Sequence, residues 1–139
     1  MNIKVKETIN IEDYLVNLLD DHSQMMNPEM PTDYTKKEYA FGIYEDETLI
    51  GGLTAKEAMG EFYISLIAIN KDYRQLGLGR LLMKAVEEKA KERGCHHLLL
   101  TTYSYQGAHF YPKVGFKLLA KISDYPVVGV DKLYFIKYL

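Results

Sequence analysis

Residues 62–102 have the pattern of a strand, a helix and a second strand in direct succession. Residues 62–69 carry no charge and are rich in isoleucine, leucine and aromatic residues, which is typical of a strand covered on both faces. Residues 97–102 (HLLLTT) form the next such run. Between the two runs, apolar residues recur at helical spacing: Leu78, Leu81, Leu82, Ala85, Val86 and Ala90. Gly94 stands where this helix should end. We therefore predict a right-handed crossover that joins two parallel strands.

The remaining elements follow from shorter patterns. Further strands are predicted over residues 3–7, 39–44, 48–54, 116–122 and 132–139. Asn10 is placed to cap a helix that continues to about Met26, because Glu12 and Asp13 then lie in its positive first turn. A second, shorter helix is predicted over residues 106–113. The dipeptide Gly51-Gly52 marks a bulge in the hairpin.

Size and composition bound the kind of protein. A chain of 139 residues and 16.0 kDa, 47% hydrophobic, is expected to form one domain over residues 1–139. The single cysteine, Cys95, excludes an internal disulfide, and no metal-ligand spacing is found. Neither a membrane span nor a signal peptide is evident, so a cytoplasmic location is expected. A net charge of -2 argues against nucleic-acid binding.

The net charge conceals an asymmetry along the chain. Residues 1–61 contain five basic and thirteen acidic side chains, whereas residues 62–139 contain twelve basic and six acidic ones. The first part is therefore suited to a cationic partner and the second to an anionic one. Ordinary solvated surface charge is the alternative explanation.

The loop between the first strand and the helix carries two glycines and two arginines, in the order Arg74-Gln75-Leu76-Gly77-Leu78-Gly79-Arg80. The first N–H groups of a helix have no partner within it, and glycine lets its backbone approach a phosphate closely. The loop therefore predicts an anion site, although a tight turn would also use Gly77 and Gly79.

Two other phosphate loops are excluded by their letters. No G-x-x-x-x-G-K-[ST] string occurs, which excludes a Walker A loop. A dinucleotide fingerprint would need a third glycine at Leu82 and an acidic residue near His97, so a nucleotide-binding oxidoreductase is disfavoured.

At this point the sequence resembles the GNAT superfamily of acetyl-CoA-dependent N-acetyltransferases. The loop satisfies its [QR]-x-x-G-x-[GA] signature, and residues 108–116 (AHFYPKVGF) resemble a second family segment that carries a tyrosine. The resemblance implies an α/β fold of the α+β type. In that fold a mixed, mostly antiparallel sheet of seven strands is flanked by about four helices, with the parallel βαβ unit at the acetyl-CoA site.

The resemblance also implies which residues hold acetyl-CoA. The pantetheine arm would bind the backbone of Ile67, Ala68 and Ile69. The pyrophosphate would lie on Arg74, Gln75, Leu76, Gly77, Leu78, Gly79 and Arg80. Where the family often has a cofactor-binding asparagine, this chain has Ser104, with Gln106 two residues later. Tyr111 would also contact the cofactor.

Acetyl transfer to an amine needs an oxyanion site, an acid and a base. By the resemblance, a backbone N–H at Ala68 or Ile69 would hold the oxyanion, and Tyr111 would protonate the departing sulfur. The alternative for Tyr111 is a packing role. The family often has a glutamate midway along this strand, but this chain has Tyr63 and Ser65 there. Glu61 is the candidate base, acting through water, or else an ordinary charge at the strand end.

The expected activity is direct transfer in a ternary complex to an unidentified, cationic amine of a small molecule or peptide. The alternative is a non-catalytic coenzyme A-binding regulatory module. Exposed sheet edges and the last strand would suit a homodimer.

Overall fold

The computed structural model describes all residues, 1–139, and the chain divides into two compact units, Met1–Tyr34 and Thr35–Leu139. The first unit contains one helix, α1 (Glu12–Met26). The strand predicted over residues 3–7 is wrong. Ile3 and Val5 are 77% and 101% exposed, so the alternation buries no apolar surface, and no neighbouring strand supplies hydrogen bonds.

The predicted start of α1 is also corrected. The residue that precedes the helix is Ile11, whose side chain makes no capping hydrogen bond. Asn10 instead has a φ of 59°, a left-handed conformation that asparagine tolerates better than most residues. The helix ends as predicted before Pro28, with Asn27 N–H donating to the Ser23 carbonyl at 2.7 Å.

The second unit is a mixed six-stranded sheet in the order β1-β2-β3-β4-β6-β5. The strands are β1 (Lys37–Glu45), β2 (Thr48–Ala58), β3 (Glu61–Ile69), β4 (His97–Tyr103), β5 (Lys117–Ile122) and β6 (Lys132–Tyr138). Two helices accompany them, α2 (Leu78–Glu92) and the single turn α3 (Phe110–Lys113), with a 3₁₀ turn at Lys71–Tyr73. The predicted fold class is confirmed, with six strands and three α-helices rather than seven and about four. The missing strand is the one predicted over residues 3–7.

The predicted strand–helix–strand unit is confirmed, since β3 and β4 are parallel neighbours joined through α2. Gly94 ends the helix with a φ of 71°. The buried face of α2 consists of Leu82, Met83, Val86 and Ala90, so the prediction of Leu81 on this face is wrong. At 100° per residue, Leu81 lies about 140° round the helix from Val86, whereas Met83 lies only about 60° away.

The core lies between α2 and one face of the sheet. Its largest fully buried side chains are Phe62 on β3, Leu98 and Leu100 on β4, and Val86 on α2. Neighbouring strand residues alternate between this core face and the opposite face of the sheet. No helix is both long enough and apolar enough to cross a membrane.

A bulge at Ser65 interrupts that alternation. In the pairing with β2, Ile64 faces Ala55 and Leu66 faces Thr54, so Ser65 has no partner. Phe62 and Ile64 belong to the core before the bulge, and Ile67 and Ile69 pack against the same core after it. Ser65 and Leu66 therefore both lie on the opposite face. The bulge predicted at Gly51-Gly52 occurs one residue earlier, at Ile50.

Candidate active site

A cavity of about 1290 Å³ opens where β3 and β4 separate. The two strands are paired only from Glu61↔His97 to Ile64↔Leu100, so beyond Ile64 the β4 side of β3 has no strand partner. Most of the predicted cofactor-binding residues line this cavity: Ile67, Ala68, Ile69, Arg74, Gln75, Gly77, Leu78, Gly79, Arg80, Gln106 and Tyr111. The separation of the strands thus brings together residues that are far apart in the sequence.

The predicted phosphate loop forms one end of the cavity. Gly77 precedes α2 in a left-handed conformation, with a φ of 77°, and no side chain caps the helix. The first N–H groups of α2 therefore have no partner in the protein's own helix, and they lie at the cavity wall. Arg74 Nε donates to the Ile69 carbonyl at 3.2 Å, which ties the loop to the end of β3. This arrangement is suited to an anion.

The unpaired side of β3 forms the next part of the wall. Ile67, Ala68 and Ile69 pair with Leu53, Gly52 and Gly51 of β2 on one side only. Backbone groups that point to the other side are available to an extended ligand, which would add to the sheet as a strand does. This is the place where the resemblance implies the pantetheine arm.

Tyr111 closes the inner end of the cavity. Only 5% of its surface is exposed, and its ring contacts Phe110, Phe116 and Phe135 at centroid distances of 5.3, 5.7 and 5.7 Å. Burial raises the pKa of Tyr111 to about 12, since the phenolate would lose its hydration there. The structure gives its hydroxyl no hydrogen bond within the protein. Tyr111 is therefore a neutral donor whose partner must come from a ligand or water.

Glu61 lies away from this cavity. Its carboxylate contacts His97 Nε2 at 3.1 Å, and His97 Nδ1 lies 3.0 Å from His96 Nδ1. Glu61 lines a separate small cavity of about 190 Å³, together with Lys36 and Lys56. Ile64, the last residue of β3 that pairs with β4, lies three positions after Glu61, or about 10 Å along the strand.

Two of the predicted cofactor-binding residues, Leu76 and Ser104, do not line the cavity. Leu76 is exposed. Ser104 holds the connection between β5 and β6, since its Oγ accepts from Asp131 N–H at 3.0 Å and its own N–H donates to the Asp131 carbonyl at 2.9 Å. Gln106 lines the cavity, and its N–H donates to the Tyr103 carbonyl at 2.9 Å.

The sequence interpretation missed several lining residues. Those with polar side chains are Ser65, Tyr73, Thr101, Thr102, Tyr103, Tyr105, Lys113 and Lys132. The alternation along residues 97–102 could have indicated Thr101, whereas Lys132 is brought in only by the pairing of β6 with β4. Ser65 Oγ is buried without a hydrogen-bond partner. The lining contains four cations, Arg74, Arg80, Lys113 and Lys132, and no carboxylate.

Comparisons with known proteins identify the family of this chain. The sequence profile of the acetyltransferase (GNAT) family matches residues 8–116. Blasticidin-S acetyltransferase from Streptomyces morookaense is 35% identical over 89 residues, which cover 63% of this chain and 64% of that protein. The chain therefore spans less than two thirds of that relative's length.

Solved structures share the fold across almost the whole chain. An acetyltransferase from Bacillus cereus ATCC 14579 superposes with a TM-score of 0.77 at 24% identity, covering 99% of this chain and 98% of the other. A putative streptothricin acetyltransferase from Bacillus anthracis str. Ames, in complex with acetyl coenzyme A, has a TM-score of 0.67 at 19% identity and covers 96% and 70% of the two chains. These likenesses show the fold. Together with the profile match they confirm the resemblance recognised in the sequence, and the chain belongs to the acetyltransferase (GNAT) family.

Proposed function

We propose that the protein transfers the acetyl group of acetyl-CoA directly to an amine within a ternary complex. One observation carries the proposal: a single cavity is lined by the glycine loop before α2, the unpaired side of β3 and Tyr111. In the proposal these three parts hold the pyrophosphate, the pantetheine arm and the thioester of acetyl-CoA.

In this reaction the neutral amine nitrogen attacks the thioester carbon, and the carbon–sulfur bond then breaks. A backbone N–H at Ala68 or Ile69 stabilises the oxyanion. Tyr111 donates its proton to the departing sulfur, and the proton that the nitrogen loses restores the phenol. The apolar rings around Tyr111 would strengthen the hydrogen bond from its hydroxyl to the sulfur of acetyl-CoA, because little water competes for that hydroxyl.

Glu61 has two alternative roles in this proposal, a catalytic base and a structural charge. As a base it would receive, through water, the proton that the acceptor's ammonium group loses before the neutral amine attacks. Its contact with His97 and its place in the separate small cavity favour the other role, a charge that fixes the start of β3 beside β4.

We further propose that the acceptor is a cationic amine of a small molecule or peptide. The thirteen acidic residues among residues 1–61, against five basic ones, support a cationic partner. The relatives named above are called blasticidin-S and streptothricin acetyltransferases, which is consistent with small-molecule acceptors. A cytoplasmic location is part of the same proposal. A homodimer would use a surface other than the β5 edge, where Lys117, Lys121 and a bulge at Leu119 hinder strand pairing.

The first test is the stability of the protein in the presence of ligands. Acetyl-CoA at about 100 times its dissociation constant should add about 2.7 kcal/mol to the free energy of unfolding, which raises Tm by on the order of 10 °C. Coenzyme A should act similarly, while NADH should have no effect. Thiol release with a panel of amines then measures transfer. A well-folded protein that no coenzyme A form stabilises would contradict the proposal.

A second prediction concerns the phosphate loop. Gly77→Ala should lower the free energy of unfolding by about 1 kcal/mol, because alanine is strained at a φ of 77°. It should also weaken coenzyme A binding by moving the first N–H groups of α2. Gly94→Ala is the matched control, since Gly94 has a φ of 71° and equally open surroundings but lies at the other end of α2. Chemical denaturation should show similar losses of unfolding free energy for the two variants. Only Gly77→Ala should lose affinity for coenzyme A. Equal affinities would show that the loop does not hold the phosphates.

A further inference from the structure

Lys132 enters the cavity from the sheet face opposite α2. It is the first residue of β6 and pairs with Tyr103 of β4. The next residue, Leu133, is buried in the core with α2, so the alternation of β6 places Lys132 on the other face. Arg74 and Arg80 flank the glycine loop at the start of α2, and Lys113 lies on α3. The charge of Lys132 therefore lies apart from the cations around the phosphate loop.

The ammonium of Lys132 is held between two aromatic rings. Its Nζ lies 5.8 Å from the centroid of the Tyr125 ring and 5.5 Å from that of Tyr134. Both distances are within the range of a cation–π interaction. Lys132 is half-buried, and no carboxylate of the chain forms an ion pair with it. A positive charge in a fixed position, without an anionic partner, thus faces the cavity.

We propose that Lys132 binds a carboxylate of the acceptor, so that the acceptor class is amino acids and related compounds that carry both an amine and a carboxylate. This inference rests on the proposed acetyl transfer and narrows its substrate. The glycine loop, where the proposed function places the pyrophosphate of acetyl-CoA, lies at the start of α2, so the sheet face opposite α2 is left for the acceptor. An acceptor anchored there by its carboxylate directs its amine toward the gap between β3 and β4. The hydroxyls of Tyr63 and Thr101, 3.5 Å apart, lie on this same face.

The test compares acceptors that differ only in the carboxylate. Thiol release is measured for alanine and alaninamide, lysine and lysinamide, and a dipeptide and its amide. Because an amide also lowers the pKa of the amine, the measured quantity is the acid-to-amide ratio of kcat/KM in each protein variant. Lys132→Met should lower this ratio about 10- to 100-fold, as expected for the loss of a charged hydrogen bond. Lys132→Arg should largely keep it. Lys117→Met, which removes a charge from exposed β5, should leave it unchanged.

Coenzyme A binding to the same variants, measured by calorimetry, is the second readout. Affinity within about twofold of the wild type supports the assignment and shows that Lys132→Met is folded. A tenfold loss of affinity would assign Lys132 to a cofactor phosphate and overturn the inference. Transfer to acids and amides with the same ratio in wild type and Lys132→Met would also overturn it, while leaving acetyl transfer intact. Thiol release with none of these amines, but with another amine of the wider panel, would overturn the inference. Thiol release with no amine of that panel would overturn the proposed function itself.

Discussion

Tyr111→Phe is expected to lower kcat by about 10²- to 10⁴-fold while coenzyme A affinity stays within about threefold of the wild type. The change removes one oxygen and leaves the ring among Phe110, Phe116 and Phe135, so the packing is preserved. In the proposed mechanism the lost hydroxyl is the proton donor. Steady-state thiol release and calorimetric binding of coenzyme A measure the two quantities separately.

The pH dependence gives the same prediction a second readout. Burial raises the pKa of Tyr111 from 10.0 to about 12, so the phenol keeps its proton throughout the neutral range. Ionisation of Tyr111 should therefore cause no loss of kcat between about pH 6 and 9. A tyrosine that titrated in this range would have a pKa lowered by a nearby cation, which is opposite in sign to the effect of burial.

Tyr44→Phe is the matched control, because Tyr44 is an exposed tyrosine on β1 outside the cavity lining. Its kcat should equal that of the wild type. If Tyr111→Phe retained full kcat, Tyr111 would be a packing residue and the acid would have to be sought elsewhere. If the wild type bound coenzyme A but transferred no acetyl group to any amine, the chain would be a regulatory coenzyme A-binding module.

Gly107→Ala should lower kcat by displacing the Tyr111 ring, although it removes no atom of Tyr111. A Cβ at residue 107 would lie 2.2 Å from Cε2 and 2.8 Å from Cδ2 of the Tyr111 ring. The ring can shift only against Phe116 and Phe135, so relieving the clash is costly. We expect the free energy of unfolding to fall by about 1–3 kcal/mol, together with a loss of kcat of at least tenfold as the hydroxyl is displaced.

A double-mutant cycle tests the cause of this loss. In a Tyr111→Ala background the three closest contacts of the added methyl group of Gly107→Ala are gone, because all three are with the Tyr111 ring. The second substitution should then destabilise the protein by much less than it does in the wild type, as measured by urea denaturation. Equal destabilisation in both backgrounds would mean that residue 107 requires glycine for its backbone rather than for the approach of Tyr111.

The parts of the candidate site that could be predicted from the sequence are those formed by residues contiguous in the chain. The glycine loop before α2 could be recognised because a strand, an uncapped helix start and two arginines are adjacent in the chain. The bulge at Ser65 could not, because the one-residue slip depends on the register between β3 and β2. Lys132 could not be predicted for a similar reason: its place in the cavity depends on the pairing of Lys132 in β6 with Tyr103 in β4.

The correction to residues 3–7 has a simple physical cause. The alternation there predicts a strand only if a neighbouring strand pairs with it and a core covers its apolar side chains, and neither is present. Glu61 is a candidate base because counting along one strand places it on the face of Tyr63 and Ser65. Counting gives the face and the separation, whereas the choice of His97 as its partner is set by the parallel pairing Glu61↔His97 across the sheet.

The bulge at Ser65 divides β3 into a half that pairs on both sides and a half that pairs on one side. Residues before it are held on both sides, by β2 and β4, so substitutions there should be felt mainly as changes in folding stability. Residues after it are held by β2 alone and present their other side to the cavity, so substitutions there should mainly change the affinity for coenzyme A. One inserted residue therefore lets the cavity-lining half of β3 vary without disrupting the half that maintains the sheet.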